Sequence, residues 1–243
     1  MAGKPSLLTV LPALNEAQTL AHVIDEIRAA VPESAILVVD DGSSDGTADV
    51  ARANGAAVLQ LPFNVGVGGA LRAGLLHAQR NAIGIAVQCD ADGQHPPTSI
   101  RDLVHGLEQA DIVIGARFAG TGAYRVRGPR NWAMLLLATV MSRVHRTELT
   151  DVTSGFRAFG PRAIAVLCRE LPPDYLGDTV EALIIAKEHG LRVRQVPVAM
   201  RARQGGVASH HPLRAMLYLF RALLILALSL LRLVGTRLRR RRR

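Results

Sequence analysis

Short apolar runs alternate with amphipathic segments along the first half of the chain. Runs of about five apolar residues are typical of strands buried on both faces, whereas apolar residues three and four apart indicate helices. Strands are predicted over residues 7–11, 35–39, 57–61, 83–88 and 112–114. Helices are predicted after Asn15, with Gln18 as its capping-box partner, over residues 47–54 and 68–80, and after Pro97.

This order of strands and helices predicts an α/β fold, in which a mostly parallel sheet carries helices on both faces. Beyond Gly128 the alternation breaks. Helices are then predicted over residues 131–145 and 179–189, and strands over residues 155–159 and 192–200. We predict one globular domain over residues 1–211 and a C-terminal amphipathic or membrane helix with a polyarginine tail over residues 212–243.

The charge of the chain is unevenly distributed. Residues 189–243 hold 13 arginines and no acidic residue, so the net charge of +9 divides into about −4 before this segment and +13 within it. An apolar run, residues 222–231, precedes five terminal arginines. Apolar helix plus basic tail favours an anionic membrane surface over nucleic acid as the partner.

The apolar run is short for a membrane span. Ten helical residues rise about 15 Å, half of a bilayer core, so we expect an interfacial helix and leave a tilted span open. The N-terminus does not have the pattern of a signal peptide, and Cys89 and Cys168 lie in apolar stretches, which favours reduced thiols. These features predict the cytoplasmic face of the cell membrane.

Acidic residues follow three of the predicted strands. Glu16 follows the first, Asp40 and Asp41 the second, and Asp90 and Asp92 the fourth. One such carboxylate is readily explained as a helix cap, but three clusters at the carboxyl edge of a sheet predict a ligand site.

The pair Asp90 and Asp92 predicts a metal site. Residues i and i+2 of an extended segment point to the same side, and two adjacent carboxylates repel unless a cation lies between them. Oxygen ligands favour Mg²⁺ or Mn²⁺, and Gln94 and His95 are candidates to complete the site.

Several motifs together resemble one enzyme family. The segments PALNE (residues 12–16), VVDDGSSDGT (38–47), NVGVGGA (64–70) and CDADGQHPP (89–97) are similar to those of family 2 glycosyltransferases of GT-A fold. DVTSGFR (151–157) and the downstream RQGG resemble the polyprenyl-phosphate branch, which includes dolichol-phosphate mannose and glucose synthases. The resemblance covers about residues 7–210 and implies that residues 1–211 form the catalytic domain.

The resemblance also implies roles for individual residues. The base and ribose of a nucleotide-diphosphate sugar would be held by Pro12, Leu14, Glu16, Val39 and Asp41. The diphosphate would be held by Ala91 and by the metal ligands Asp90, Asp92 and Gln94. The first candidate for binding the acceptor phosphate is Arg117, followed by the cluster Arg125, Arg127 and Arg130. Arg201 and Arg203 fit the basic residues that the family places on a loop closing over the donor. Asp151 would lie near the acceptor and is expected to orient an arginine or the metal.

The expected reaction is an inverting, metal-dependent transfer of a hexose from a UDP or GDP sugar to a polyprenyl monophosphate. A polysaccharide or other non-lipid acceptor remains the alternative. A nucleotidyltransferase would usually carry a glycine-rich basic loop after the first strand, where this chain has PALNE. The intact DxD pair argues against a binding module without turnover. The sugar, the base and the existence of a homo-oligomer stay open.

Overall fold

The computed structural model describes residues 6–117, 129–173 and 177–201. The strands are Leu7–Ala13 (β1), Ala35–Asp40 (β2), Ala57–Gln60 (β3), Ile85–Gln88 (β4), Ile112–Ala116 (β5), Arg157–Phe159 (β6) and Val193–Pro197 (β7). The helices are Leu20–Ala30 (α1), Thr47–Ala53 (α2), Val67–Arg80 (α3), Ile100–Gly106 (α4), Pro129–His145 (α5), Pro161–Glu170 (α6) and Ala182–Glu188 (α7). A 3₁₀ turn, Pro97–Ser99, precedes α4, and a π-helical turn, Gly177–Glu181, precedes α7.

The described strands form one sheet in the order β3-β2-β1-β4-β6-β5-β7. All neighbours pair in parallel except β6, which is antiparallel to both β4 and β5. The prediction of a mostly parallel sheet is therefore confirmed. Because β1 continues to β2 on one side and has β4 on the other, the connections diverge around β1, which is where an α/β sheet opens a crevice.

Helices cover both faces of the sheet, as predicted. Leu8 and Val10 of β1 pack into the cluster that holds α3, α6 and α7, whereas Leu7 and Leu11 pack into the cluster that holds α1 and α4. Successive strand residues point to opposite faces, so a strand covered on both sides must be apolar throughout. This burial explains the uninterrupted apolar runs in the sequence.

The first helix begins later than predicted. Asn15 has a φ of 57°, and its side-chain oxygen accepts the N–H of Ser44, while α1 begins at Leu20 with Thr19 as the N-cap residue. The prediction that Asn15 and Gln18 cap the helix is therefore wrong. The long-range bond to Ser44 replaces the local capping box.

One helix was absent from the predicted pattern. Residues 161–170 form α6, whose residues Ala163, Ile164, Leu167 and Cys168 are buried at helical spacing behind Pro161. Proline at the first helical position is a helix-start signal, so the sequence did contain the information.

The predicted C-terminal helix, residues 212–243, lies outside the described residues, as does the boundary after residue 211. Within the described ranges, no helix is both long and apolar enough to cross a membrane.

Candidate active site

A cleft of about 290 Å³ opens at the carboxyl edge of the sheet, where β1, β2 and β4 end. The predicted convergence of the three acidic clusters is borne out in the cleft wall, to which Glu16, Asp41, Asp90 and Asp92 all contribute. The other residues lining the cleft are Pro12, Ala13, Leu14, Asn64, Gly66, Val67, Ala70, Ala91, Thr153, Gly155, Asp178 and Thr179.

The cleft runs along the strand order β2-β1-β4-β6-β5, and Asp41, which follows β2, marks one end of it. Its two carboxylate oxygens accept the backbone N–H groups of Val65 and Gly66 at 2.8 and 2.9 Å. Burial raises the pKa of Asp41, and these two hydrogen bonds act against that rise. The fully buried side chain of Val39 belongs to the core and is not among the residues lining the cleft.

The loop after β2 is built on carboxylates that accept backbone N–H groups. Asp40 accepts the N–H of Ser43 at 2.9 Å, and Asp45 accepts those of Thr47 and Ala17 at 2.9 and 3.2 Å. The bond from Ala17 ties this loop to the segment after β1. The loop after β2 and the segment after β1 are thus held together by carboxylates and backbone N–H groups, and none of these contacts involves a cationic side chain.

The Asp90–Asp92 pair lies on a turn after β4, not on the extended segment that we predicted. Both carboxylates nevertheless line the cleft. The N–H of Gln94 donates to Oδ1 of Asp92 at 3.0 Å, while Gln94 is not among the lining residues. Gly155 lies against Asp90, since a Cβ there would come within 3.2 Å of Oδ1.

The ligands that this turn offers suit a metal ion whose remaining ligands come from a substrate. Asp90 and Asp92 offer carboxylate oxygens only. Across the residues that the structure describes, no cluster of three or more His, Cys, Asp and Glu side chains could hold a metal ion. Mg²⁺ commonly binds through one or two carboxylates and the phosphates of its substrate, so this turn fits such an ion together with a diphosphate.

Arg117 and Asp151 form a bidentate pair next to the other end of the cleft. Nε and Nη2 of Arg117 donate to the two oxygens of Asp151 at 2.6 and 2.9 Å, and Nη2 also donates to Oγ1 of Thr153. Thr153 lines the cleft, which places the pair beside it. Asp151 is fully buried; burial would raise its pKa, but the bonds from Arg117 outweigh it and hold the pKa below the usual range. This bidentate contact holds the guanidinium of Arg117 in one orientation.

Arg157, to which the sequence motifs gave no role of its own, organises the main chain at this end of the cleft. Its fully buried guanidinium donates to four carbonyl oxygens, those of Val152, Ser154, Asp178 and Thr179, at 2.7 to 3.1 Å. Burial lowers its pKa to about 10, so the group stays charged at neutral pH. A basic residue inside the apolar run GFRAF was the available signal.

Asp178 was also missed. It lies on the π-helical turn, lines the cleft and is buried, and Nε2 of Gln88 donates to it at 3.3 Å. Burial raises the pKa of Asp178 to about 6, against the opposing charge of Arg157. A π-helical turn often marks a functional site, but no periodicity in the sequence announced it.

Of the remaining arginines predicted for the site, only Arg201 has a described side chain. Arg125, Arg127 and Arg203 lie outside the described residues, as does the side chain of Arg130. Arg201 is described: its N–H donates to the carbonyl of Gln94 at 3.0 Å, and its Nη1 donates to the carboxylate of Glu26. Arg201 therefore ties the end of the described chain to the turn that carries Asp90 and Asp92.

Comparison with known proteins gives a consistent assignment. The family model for glycosyl transferase family 2 matches residues 9–171. Undecaprenyl-phosphate mannosyltransferase of Micrococcus luteus is 33% identical over 211 residues, which cover 82% of this chain and 85% of that protein. Polyprenol monophosphomannose synthase of Mycolicibacterium smegmatis is 28% identical over 213 residues, which cover 83% and 79%.

Solved structures resemble the described fold. Glucosyl-3-phosphoglycerate synthase from Mycobacterium tuberculosis, in complex with Mn²⁺, UDP-glucose and phosphoglyceric acid, matches with a TM-score of 0.63 and 26% identity. The match covers 87% of this chain and 74% of that structure. The likeness extends over most of both chains, in keeping with a GT-A-like fold.

Proposed function

The chain belongs to glycosyl transferase family 2 and is a glycosyltransferase, and we propose that it transfers a hexose from a UDP or GDP sugar to a polyprenyl monophosphate. One observation carries the proposal. In the strand order β2-β1-β4-β6-β5, Asp41 follows β2, the Asp90–Asp92 turn follows β4, and the Arg117–Asp151 pair lies beside Thr153 at β6 and β5. This order matches a nucleoside, a diphosphate and an anionic acceptor.

The donor would lie along the cleft from Glu16 and Asp41 to the Asp90–Asp92 turn. Carboxylates at the first end suit the polar groups of a base and the hydroxyl groups of a ribose. Asp90 and Asp92, with Gln94 as a further candidate, would hold Mg²⁺ or Mn²⁺ against the diphosphate. When bound, the metal would neutralise the charge that develops on the leaving nucleoside diphosphate.

The acceptor phosphate would be drawn to Arg117, which Asp151 holds in place. Arginine suits a phosphate because its planar fork can donate two parallel hydrogen bonds. A phosphate monoester is an anion near neutral pH, so its oxygen can attack the anomeric carbon without a strong general base. The bond to the nucleoside diphosphate breaks in the same displacement, which inverts the anomeric centre. The two prenyl-phosphate mannosyl relatives support this choice of acceptor.

We place the reaction at the cytoplasmic face of an anionic membrane, on the charge and hydropathy of residues 189–243. Lys and Arg near such a surface contribute roughly 1 kcal/mol each, and salt screens this attraction but not the apolar contribution. Deletion of residues 212–243 should release the protein from anionic vesicles and preserve nucleotide-sugar binding. A truncated chain that still pellets with vesicles would exclude this segment as the anchor.

A soluble anionic acceptor is the second candidate. The similar solved structure contains phosphoglyceric acid beside UDP-glucose and Mn²⁺, and that acceptor is also an anion. An arginine placed for a lipid phosphate would serve such a molecule equally well, so the choice between the two acceptors depends on a direct assay.

The decisive experiment is a matrix of donors and acceptors with product detection by mass. The donors are the UDP and GDP sugars of glucose and mannose, and UDP-N-acetylglucosamine. The acceptors are undecaprenyl phosphate, a short-chain polyprenyl phosphate, unphosphorylated polyprenol and 3-phosphoglycerate. We expect metal-dependent product on both polyprenyl phosphates and none on polyprenol. Product with 3-phosphoglycerate but with neither polyprenyl phosphate would show that the acceptor is a soluble anion and not a lipid.

A further inference from the structure

His95 is a buried group next to the Asp90–Asp92 turn that the reaction described above does not use. Its side chain is 2% exposed and absent from the cleft lining. Nδ1 accepts the backbone N–H of Asp90 at 2.9 Å, and Nε2 lies 3.5 Å from Oδ2 of the same residue. One imidazole therefore faces both the main chain and the carboxylate of Asp90.

This arrangement fixes the tautomer of the ring. A nitrogen that accepts an N–H has no proton of its own, so the proton of a neutral imidazole lies on Nε2. The hydrogen bond from Asp90 thus occupies Nδ1, while Nε2 lies near the carboxylate of the same residue. The sequence left His95 open as a candidate to complete the metal site, and this geometry argues against that role.

The ring itself is held from its face. It stacks on Phe156 with a centroid distance of 4.8 Å and an interplanar angle of 14°. The carbonyl of Phe156 accepts the N–H of Gly115 at 2.8 Å, and a Cβ at Gly115 would come within 2.8 Å of Cδ1 of Phe156. Close packing of β5 against Phe156 thus fixes the plane of His95.

We propose that His95 is a positioning residue, which holds the main chain of the Asp90–Asp92 turn in the arrangement that binds the metal. The inference rests on the proposed function, because it assumes that Asp90 binds Mg²⁺ or Mn²⁺ with the donor diphosphate. The bond to the N–H of Asp90 fixes the main chain from which this proposed ligand extends. Partners that orient metal ligands typically change metal affinity or activity by about 10–100-fold when they are replaced.

Two substitutions separate the contacts of the ring. In His95→Asn the amide oxygen takes the place of Nδ1 and can accept the N–H of Asp90. In His95→Gln the amide lies near the place of Nε2, and the acceptor for that N–H is lost. Both variants lose the stack on Phe156, so a role limited to packing predicts equal effects. His105→Gln is the matched control, because His105 is an exposed histidine of α4.

The test is Mn²⁺ titration of the full chain in saturating UDP or GDP, followed by electron paramagnetic resonance, with a melting curve of each metal-free variant. We expect His95→Gln to weaken Mn²⁺ binding about 10–100-fold, His95→Asn by less than about 10-fold and His105→Gln not at all. Thermal melting should show the His95 variants folded at the temperature of the titration.

The outcomes distinguish this inference from the proposed function. Unchanged Mn²⁺ affinity in a folded His95→Gln variant, or equal losses in His95→Gln and His95→Asn, would overturn the positioning role alone. A wild-type chain that binds no Mn²⁺ with either nucleotide would overturn metal-dependent donor binding, and the positioning role with it. Transfer to a different acceptor would leave the inference intact.

Discussion

The two ends of the cleft hold their carboxylates in different ways. At the donor end, Asp40, Asp41 and Asp45 accept backbone N–H groups from the loops around them. At the acceptor end, the carboxylate of Asp151 accepts the guanidinium of Arg117, and the guanidinium of Arg157 donates to the main-chain carbonyl of Asp178. Amides order a loop without adding net charge, whereas arginines add it.

This difference matches what each end would bind. Carboxylates held by amides keep their negative charge for a ribose hydroxyl or a metal ion. Arginines supply the positive charge that must bring one anion, the acceptor, towards another, the donor diphosphate. The pKa values do not follow this division: burial raises the pKa of Asp41 at one end and that of Asp178 at the other, whereas the hydrogen bonds from Arg117 outweigh burial and lower the pKa of Asp151.

Removing a carboxylate between the two ends should have the largest effect. Asp92→Ala should lower turnover about 1,000-fold, because the loss of a metal ligand removes several kcal/mol of transition-state stabilisation. Steady-state rates at saturating donor and Mn²⁺ measure this loss. Asp102→Ala, on the exposed face of α4, is the control and should keep its rate. Full activity of the wild-type protein in excess chelator would show that the reaction does not require a metal ion.

Replacing Arg117, at the cationic end of the cleft, should affect mainly the use of the acceptor. Arg117→Ala should lower kcat/KM for polyprenyl phosphate about 10–100-fold, since a hydrogen bond to a charged group contributes about 1.5–3 kcal/mol. Arg117→Lys should recover part of the loss, because lysine lacks the fork. The dissociation constant for the nucleotide sugar should change much less.

The double variant tests whether Asp151 acts through Arg117. If it does, Asp151→Asn should add little to the defect of Arg117→Ala. Additive losses would assign Asp151 a separate role at the acceptor. An equal loss of affinity for both substrates would contradict the division of the cleft into two ends.

The donor end could be predicted from the sequence because its residues follow strand ends. Parallel strands bring their carboxyl ends to one edge, so apolar runs followed by acidic residues already placed Glu16, Asp41 and Asp90 together. The error at Asn15 arose because a local capping pattern was weighed without its long-range partners, Ser43 and Ser44.

The acceptor end depends on features that periodicity does not reveal. Arg157 lies within β6, the strand that inserts antiparallel between β4 and β5. Asp178 lies on a π-helical turn, and Arg117 meets Asp151 from 34 residues away. Strand order and irregular turns are set by tertiary packing, so Arg157 and Asp178 emerged only from the structure.

A smaller effect is expected at the amide-held end. Asp41→Asn should weaken nucleotide-sugar binding about 10-fold, because one amide oxygen cannot accept both N–H groups as two carboxylate oxygens do, and the segment at Val65 and Gly66 loses a bond. Calorimetric titration with donor measures the loss, with the highly exposed Asp49→Asn as control. Unchanged affinity of Asp41→Asn for the nucleotide sugar would contradict the proposed contact between Asp41 and the nucleoside.

The smallest expected effect is on stability, and it compares two buried carboxylates of the acceptor end. The pKa of Asp178 is raised in the folded chain to about 6 from an ordinary value of 3.8, so the folded state disfavours its ionised form. The free energy of unfolding should therefore fall as pH rises from about 4 through 6, and Asp178→Asn should remove that fall. The difference between wild type and variant in the free energy of unfolding should change by about 1 kcal/mol between pH 5 and pH 7.

The pH dependence that Asp151 contributes has the opposite sign. Its lowered pKa adds stability above the ordinary carboxyl range, and that stability is lost as pH falls through the folded pKa. Urea denaturation of wild type, Asp178→Asn and Asp151→Asn across pH 3 to 8 measures both slopes. A parallel pH dependence in wild type and Asp178→Asn would mean that Asp178 ionises in the folded chain as readily as in the unfolded one, and that Arg157 fully compensates its burial.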